Sequence, residues 1–199
     1  TPSMEYLMPK RNERANDAQM SSWTLHTRGL NLHVRELSAS SEGVPVVCLH
    51  GWLDHGAAFT KVARDQPGRW LALDQRGFGQ SDHIGAGGYY HFADLLPDVD
   101  ALVRELGGRV DLLGHSMGGA IALQAALRAQ ATGEVTLAGV AVSGPLLALD
   151  PQAASPPLKA VARVLGRVLP KLGVTAIDSS LVSRDAAVVE AYDNDPLVY

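Results

Sequence analysis

The sequence predicts an α/β protein in which helices cover both faces of a mostly parallel β-sheet. Short apolar runs of strand length alternate with longer segments whose apolar residues recur at helical spacing. The order strand, helix, strand implies right-handed crossovers, and these place neighbouring strands parallel to one another. The apolar runs lie at residues 44–49, 70–73, 110–113 and 135–143.

The composition is that of a globular domain with a sizeable core. Of the 199 residues, 46% are hydrophobic and 19% are charged, and the formal net charge of −4 gives no reason to expect nucleic-acid binding. The single cysteine, Cys48, lies in an apolar run, so we expect it to fill core space, and the cytoplasm is the favoured location. No apolar run is long enough to span a membrane, and the amino end lacks a signal-peptide core.

The amino-terminal part is expected to begin with a flexible tail over residues 1–22, because residues 1–19 are polar and lack periodicity. From Trp23 apolar residues alternate with polar ones, and Arg28-Gly29 interrupts the alternation, which predicts a hairpin of two edge strands. Two helices are then predicted between the later strands, at residues 59–63 and 92–106.

The loop after the first apolar run reads His50-Gly51-Trp52-Leu53-Asp54-His55-Gly56. Loops at the carboxyl ends of central parallel strands are where ligands bind, and Gly51 allows a turn that points the Trp52 N–H into a cleft. We interpret His50 as a structural histidine that holds its own loop by hydrogen bonds, in preference to a catalytic residue. His55 is interpreted as an ordinary loop residue.

The loop after the second apolar run is Asp74-Gln75-Arg76-Gly77-Phe78-Gly79-Gln80-Ser81-Asp82. Its glycines, together with an aspartate and an arginine, predict a tight turn stabilised by a buried ion pair of Arg76 with Asp74 or Asp82. A catalytic acid in this loop is the disfavoured alternative.

The segment Gly114-His115-Ser116-Met117-Gly118 carries the candidate nucleophile, Ser116. It joins an apolar strand directly to an Ala/Leu-rich helix, so we expect the serine on a sharp turn with a strained, positive φ. Positions 114 and 118, both glycine, are expected to require a small residue because larger side chains would collide there. The helix that begins at Met117 supplies backbone N–H groups and a positive dipole end suited to an oxyanion.

Beyond Asp150-Pro151 the sequence predicts a cap over the cleft. Apolar residues over 158–172 form one helical stripe, and basic residues recur every fourth position on another face. A cap helix with a solvated basic face is the favoured interpretation, and peripheral contact with an anionic lipid surface is the alternative. A short helix over residues 186–192 follows.

These motifs, in this order and spacing, resemble those of the α/β-hydrolase fold family over residues 23–199. The stretches Ser143–Asp150, Leu181–Asp185 and Asn194–Leu197 are similar to the monoacylglycerol lipase and lysophospholipase branch. The stretch His50–Asp54 is more similar to the serine-hydrolase-like proteins. The resemblance divides the chain into a core over residues 23–149 and a cap over residues 150–199.

The resemblance implies a serine hydrolase that cleaves carboxylic esters, of the acylglycerol or lysophospholipid kind, through an acyl-enzyme. It implies that Ser116 is the nucleophile and that the N–H groups of Trp52 and Met117 form the oxyanion hole. The reaction that the resemblance implies requires neither a metal nor a cofactor. His115 is expected to point away into the scaffold.

The sequence departs from the family pattern after the nucleophile. Family members follow the order Ser, Asp, His, but no histidine follows His115 in this sequence. We therefore expect a chain that stops inside the cap, lacks the carboxyl-terminal part of the sheet, and is by itself inactive or incomplete. Asp150 could supply an acid, but before a proline it is more simply a turn residue.

Two further expectations follow from the sequence. A sheet that stops early leaves an apolar edge, which predicts low stability and self-association. The alternatives to an ester hydrolase are a catalytically silent binding protein that keeps the cleft, and an acyltransferase or peptidase of the same fold.

Overall fold

The structure is a computed structural model, and it describes residues 21–38, 40–84, 90–148 and 178–198. The predicted cap helix over residues 158–172, its basic face, Asp150 and nearly all of the predicted tail lie outside the described residues. The boundary between core and cap at residues 149 and 150 therefore stays a prediction.

The described strands form one six-stranded sheet in the order β1-β2-β4-β3-β5-β6. The strands are β1 Ser22–Thr27, β2 Leu30–Glu36, β3 Val46–Leu49, β4 Trp70–Leu73, β5 Arg109–His115 and β6 Thr136–Ser143. Strands β4, β3, β5 and β6 are parallel, while β1 pairs antiparallel with β2 and β2 pairs antiparallel with β4. The prediction of a mostly parallel sheet is confirmed.

The prediction that both hairpin strands are edge strands is wrong for β2. Strand β1 lies at the edge, but β2 pairs on its other side with β4, with Val34 opposite Leu73. The side chains of Leu32 and Val34 are fully buried. Alternation shows which face of a strand is buried, but it carries no information about the number of hydrogen-bonded neighbours.

The helices cover both faces of the sheet, as predicted. Their bounds are α1 Thr60–Ala63, α2 Phe92–Glu105, α3 Met117–Thr132 and α4 Ala186–Asp193, with short 3-10 helices at Gly56–Phe59 and Ser179–Leu181. On one face α2 and α3 pack in the larger core cluster with Val47 and Leu49, whereas on the other Phe59 and Ala63 pack with Cys48. Consecutive strand residues point to opposite faces, so β3 contributes to both clusters.

Cys48 is fully buried, as predicted for a core cysteine. Burial raises the pKa of its thiol to about 12, because the apolar surroundings disfavour the thiolate. The residue is therefore a packing element and a poor nucleophile.

Strand β6 forms one edge of the described sheet, and most of its residues are exposed. Val140 and Val142 are each 38% exposed on this strand. Exposed β-branched residues on an edge strand are a feature of sheets that pair with other chains.

Among the residues that the structure describes, no helix is long and apolar enough to cross a membrane.

Candidate active site

Ser116 sits on the one-residue turn between β5 and α3. Its backbone has φ 51° and ψ −115°, a conformation that costs a non-glycine residue about 1–3 kcal/mol. Three hydrogen bonds offset that strain: Ser116 N–H donates to the Ser143 carbonyl at 3.0 Å, and its carbonyl accepts from Leu146 N–H at 2.9 Å and Ala120 N–H at 3.2 Å. The strand, the helix and the loop after β6 therefore fix the turn together.

Close backbone contacts explain the glycines on either side of the serine. A Cβ atom added at Gly114 would overlap the carbonyl oxygen of Gly118, and one added at Gly118 would overlap the carbonyl oxygen of Leu49. The first turn of α3 thus lies directly against the ends of β3 and β5. Because these contacts involve backbone atoms, they leave no room for a side chain at either position.

The loop after β3 lies against this turn. A Cβ atom added at Gly51 would be 3.5 Å from Ser116 Cβ and 3.6 Å from the His115 ring. The Trp52 N–H belongs to the peptide that follows Gly51, and the first N–H groups of α3 have no acceptor inside the helix. The structure therefore brings the three predicted site residues Trp52, Ser116 and Met117 into one region.

His50 fixes the orientation of the peptide that carries the Trp52 N–H. Its ring is fully buried, with Nδ1 2.8 Å from the Gly51 carbonyl oxygen and Nε2 3.0 Å from Gln75 N. Because Gln75 N–H can only donate, Nε2 accepts, and Nδ1–H donates to Gly51. The C=O of Gly51 and the N–H of Trp52 share one planar peptide and point in opposite directions, so fixing the first orients the second.

The structural interpretation of His50 is supported by these contacts. Burial lowers the pKa of His50, since a charged ring would lose its hydration. Both ring nitrogens of the neutral ring are engaged by backbone atoms. His50 therefore has no lone pair left to take a proton from Ser116.

The predicted ion pair of Arg76 with Asp74 or Asp82 is wrong. Arg76 instead binds Asp98 of α2, with its Nε and one terminal nitrogen each 2.5 Å from a carboxylate oxygen, and both side chains are buried. Asp98 is buried on α2 together with apolar residues such as Leu95 and Val99. The partner of a charged side chain was decided by tertiary packing.

Asp74 has a structural role in the same region. Its buried carboxylate accepts hydrogen bonds from Arg35 Nε at 3.2 Å, Gly56 N at 2.7 Å and Gln80 N at 3.0 Å. Burial raises the pKa of Asp74, but the hydrogen bonds from Arg35, Gln80 and Gly56 outweigh burial and hold the pKa below its usual value. A carboxylate so saturated by donors links the loops after β3 and β4, which argues against the alternative of a catalytic acid.

The interpretation of His55 as an ordinary loop residue is wrong. The residue is only 4% exposed, and its Nε2 lies 2.9 Å from the carboxylate of Asp195. The two residues are 140 positions apart in the sequence, so no local pattern links them. The Asn194–Leu197 motif, noted for its family resemblance, was the one signal that could have drawn attention to Asp195.

A cavity of about 370 Å³ opens beside the turn, on the sheet face opposite α3. Its wall includes His50, Phe59, Leu113, His115 and Ser143. His115 is exposed and lines this cavity, so the expectation that it packs into the scaffold is wrong. Alternate residues of β5 point to the same face of the sheet, so His115 lies on the face that carries Leu113. This face is uncovered near the end of β5 in the described structure.

The aromatic ring of Trp52 is an exposed apolar group in the loop after β3. It is 49% exposed and packs edge-to-face on Phe78, with the ring centroids 5.5 Å apart. Phe78 in turn packs edge-to-face on the His50 ring, with the ring centroids 5.4 Å apart.

In the described part of the chain, no group of three His, Cys, Asp or Glu side chains is arranged to hold a metal ion.

Comparison with known proteins places the chain among serine hydrolases. The family model for serine aminopeptidase S33 matches residues 41–199. Monoglyceride lipase from Homo sapiens is 37% identical over 156 residues, covering 75% of this chain and 50% of that protein. The serine hydrolase-like protein of Danio rerio is 40% identical over 85 residues, covering 41% of this chain and 26% of that protein.

A solved structure agrees with these relatives. The crystal structure of Paleococcus ferrophilus monoacylglycerol lipase aligns with a TM-score of 0.67 and 29% identity, covering 85% of this chain and 64% of that one. The chain spans about half the length of the curated relatives it matches. The resemblance drawn from the motifs is thereby confirmed for the α/β-hydrolase fold and for the monoacylglycerol lipase branch, and the chain belongs to the serine aminopeptidase S33 family.

Proposed function

We propose that the protein is a serine hydrolase that cleaves carboxylic esters of acylglycerol type through an acyl-enzyme on Ser116. The observation that carries the proposal is the strained backbone of Ser116, at φ 51°. The turn that holds Ser116 lies against Gly51 and immediately precedes the N-terminus of α3. In this reaction Ser116 Oγ attacks the ester carbonyl carbon, the alcohol leaves, and water then releases the acid.

The oxyanion hole is assigned to the backbone N–H groups of Trp52 and Met117. The negative charge that develops on the substrate oxygen needs donors already in place, and one such donor is worth about 10²–10³ in rate. The Trp52 N–H is oriented by the His50 hydrogen bond to Gly51, and the Met117 N–H lies at the positive end of the α3 dipole. Both arrangements support a role in charge stabilisation.

The proton of Ser116 requires an acceptor. His50 and His55 are unsuited to the role, since both ring nitrogens of each are engaged in hydrogen bonds. No histidine follows His115 in the sequence, and the relatives are longer than the span that matches. We propose that the base comes from the part of the family fold that this chain does not span.

The substrate class is supported by relatives and by the surroundings of the serine. Two relatives are named monoglyceride lipase and monoacylglycerol lipase. The half-buried Leu113 lines the cavity beside the turn, and the exposed Trp52 ring belongs to the loop that contacts Ser116 through Gly51; both present apolar surface, which suits an acyl chain. The family description names an aminopeptidase, so amide hydrolysis is the second candidate function.

A cytoplasmic location is part of the proposal, supported by the single buried Cys48.

A fluorophosphonate probe tests the nucleophile in the complete protein. We expect covalent labelling that mass spectrometry locates on Ser116, and its loss in Ser116→Ala. Ser40→Ala, which changes an exposed loop serine, is the matched control and should label normally. Absence of labelling in the unchanged protein would favour the silent binding protein. A panel of monoacylglycerols, short esters and aminoacyl amides then separates the lipase from the peptidase.

A further inference from the structure

The loop that follows β3 is contacted by a segment far along the chain. We call residues 51–56 the oxyanion loop and residues 186–198 the carboxyl-terminal segment. Tyr192 Oη donates to the Leu53 carbonyl oxygen at 3.4 Å, and the His55 ring binds Asp195 at 2.9 Å. Helix α4 and the turn after it are therefore docked on the loop that carries the Trp52 N–H.

The geometry of the His55 and Asp195 pair is well defined. His55 Nδ1 accepts from Ala57 N–H at 3.4 Å, so in the neutral ring Nε2 carries the proton and donates to Asp195. The other carboxylate oxygen of Asp195 accepts from Leu197 N–H at 2.9 Å. Both side chains are thereby fixed, and the His55 side chain is only 6% exposed, which strengthens the charged hydrogen bond.

The oxyanion loop needs such support because its backbone is strained. Leu53 has φ 57°, in the left-handed region that disfavours residues with a Cβ atom. Such a conformation persists only when its surroundings fix it from several sides. On the core side Gly56 N–H donates to Asp74 at 2.7 Å, and on the other side the contacts come from Tyr192 and Asp195.

We propose that Asp195 and Tyr192 are positioning residues for the oxyanion hole, which act through His55 and Leu53 to fix the peptide that carries the Trp52 N–H. The consequence is coupling: the donor is aligned when the carboxyl-terminal segment is docked, and it is misaligned when that segment is released. This inference rests on the proposed function for the chemistry at Ser116, but the mechanical coupling can be measured without it.

The first experiment measures backbone hydrogen exchange by mass spectrometry in the complete protein. In Asp195→Ala and in Tyr192→Phe we expect faster exchange in peptides that cover the oxyanion loop as well as in those that cover the carboxyl-terminal segment. Asp195→Asn keeps an acceptor for His55 and should give an intermediate effect. Asp193→Ala removes an exposed carboxylate two residues away and is the matched control.

The second experiment measures how fast a fluorophosphonate labels Ser116 in the same variants. A misaligned donor should slow the labelling step at saturating probe by about tenfold in Asp195→Ala, with the half-saturating probe concentration unchanged. Tyr192→Phe removes a single hydroxyl, so it tests the proposal even if Asp195→Ala fails to fold.

The proposal is overturned if exchange rises only in the carboxyl-terminal segment, or if the oxyanion loop loosens while the labelling step keeps its rate. A lack of labelling in the unchanged protein would reject the proposed function. In that case the exchange experiment still decides whether Asp195 and Tyr192 fix the loop.

Discussion

The backbone N–H of Gln75 donates a hydrogen bond to the buried ring of His50 across 3.0 Å, and this contact joins the loops that follow β3 and β4. The other ring nitrogen fixes the Gly51 carbonyl at 2.8 Å. The His50 ring thus connects the peptide that carries the Trp52 N–H to the loop after β4. A change in the protonation state of this ring would alter both hydrogen bonds.

Stability should fall as the pH decreases below about 6.5. Burial lowers the pKa of His50 in the folded protein, so the unfolded chain takes up a proton first, and that uptake favours unfolding. Burial of His33 acts in the same direction. The stabilisation is complete above the unfolded-state pKa and decreases below it, by at most about 1.4 kcal/mol per pH unit for each histidine.

Urea unfolding between pH 5 and pH 8 measures this slope. His50→Gln should reduce stability at pH 8 by about 2 kcal/mol, because buried backbone groups lose their partner, and should flatten the pH dependence. His91→Gln changes an exposed histidine and should leave the slope unchanged. An unaltered slope in His50→Gln would contradict the assignment.

Gly118→Ala should destabilise the fold by about 3 kcal/mol or more. The added methyl group would overlap the Leu49 carbonyl oxygen and would lie 2.6 Å from the His50 carbonyl oxygen, so backbone rather than a flexible side chain would have to move. Gly108→Ala is the comparison, since nothing lies within 4 Å of its added Cβ and only its φ of 83° is unfavourable. That substitution should cost about 1 kcal/mol. Thermal and urea unfolding of both variants check the difference, and equal costs would show that the close contact relaxes.

Breaking the buried pair of Arg76 and Asp98 should cost about 3–5 kcal/mol, because the remaining charge stays buried without a partner. Arg104 and Glu134 also form a close pair, at 2.6 Å, but both are about half exposed. Arg104→Ala should therefore cost less than about 1 kcal/mol. Urea unfolding of Arg76→Ala, Asp98→Ala and the double variant tests this, and the double variant should cost less than the sum of the single ones. Similar losses at the two pairs would refute the role of burial.

The 199-residue chain should self-associate through β6. Its exposed Val140 and Val142 form an apolar edge at the end of the described sheet. Val142→Lys places a charge on that edge and should shift the chain towards the monomer in light scattering after size-exclusion chromatography. Leu127→Lys, at an exposed apolar position on α3, is the control for charge alone. A chain that is monomeric at high concentration before any substitution would reject the prediction.

Local sequence patterns were sufficient for most elements of the fold. The apolar runs around Cys48 and Ala72 predicted buried parallel strands, and the stripe that includes Val99 and Leu102 predicted the face of α2 that packs on the sheet. The Gly114–Gly118 motif predicted the turn at Ser116, because a strand that runs into a helix through one residue requires small neighbours and a positive φ.

By itself the sequence determined the order of strands and helices, the strained serine and the family, because these depend on periodicity and on residues adjacent in the chain. Only the tertiary structure decided that Arg76 binds Asp98, that β2 lies inside the sheet and that His55 binds Asp195. Each of these is a pairing between distant residues, and a pairing depends on which surfaces the packed core brings within a few ångströms.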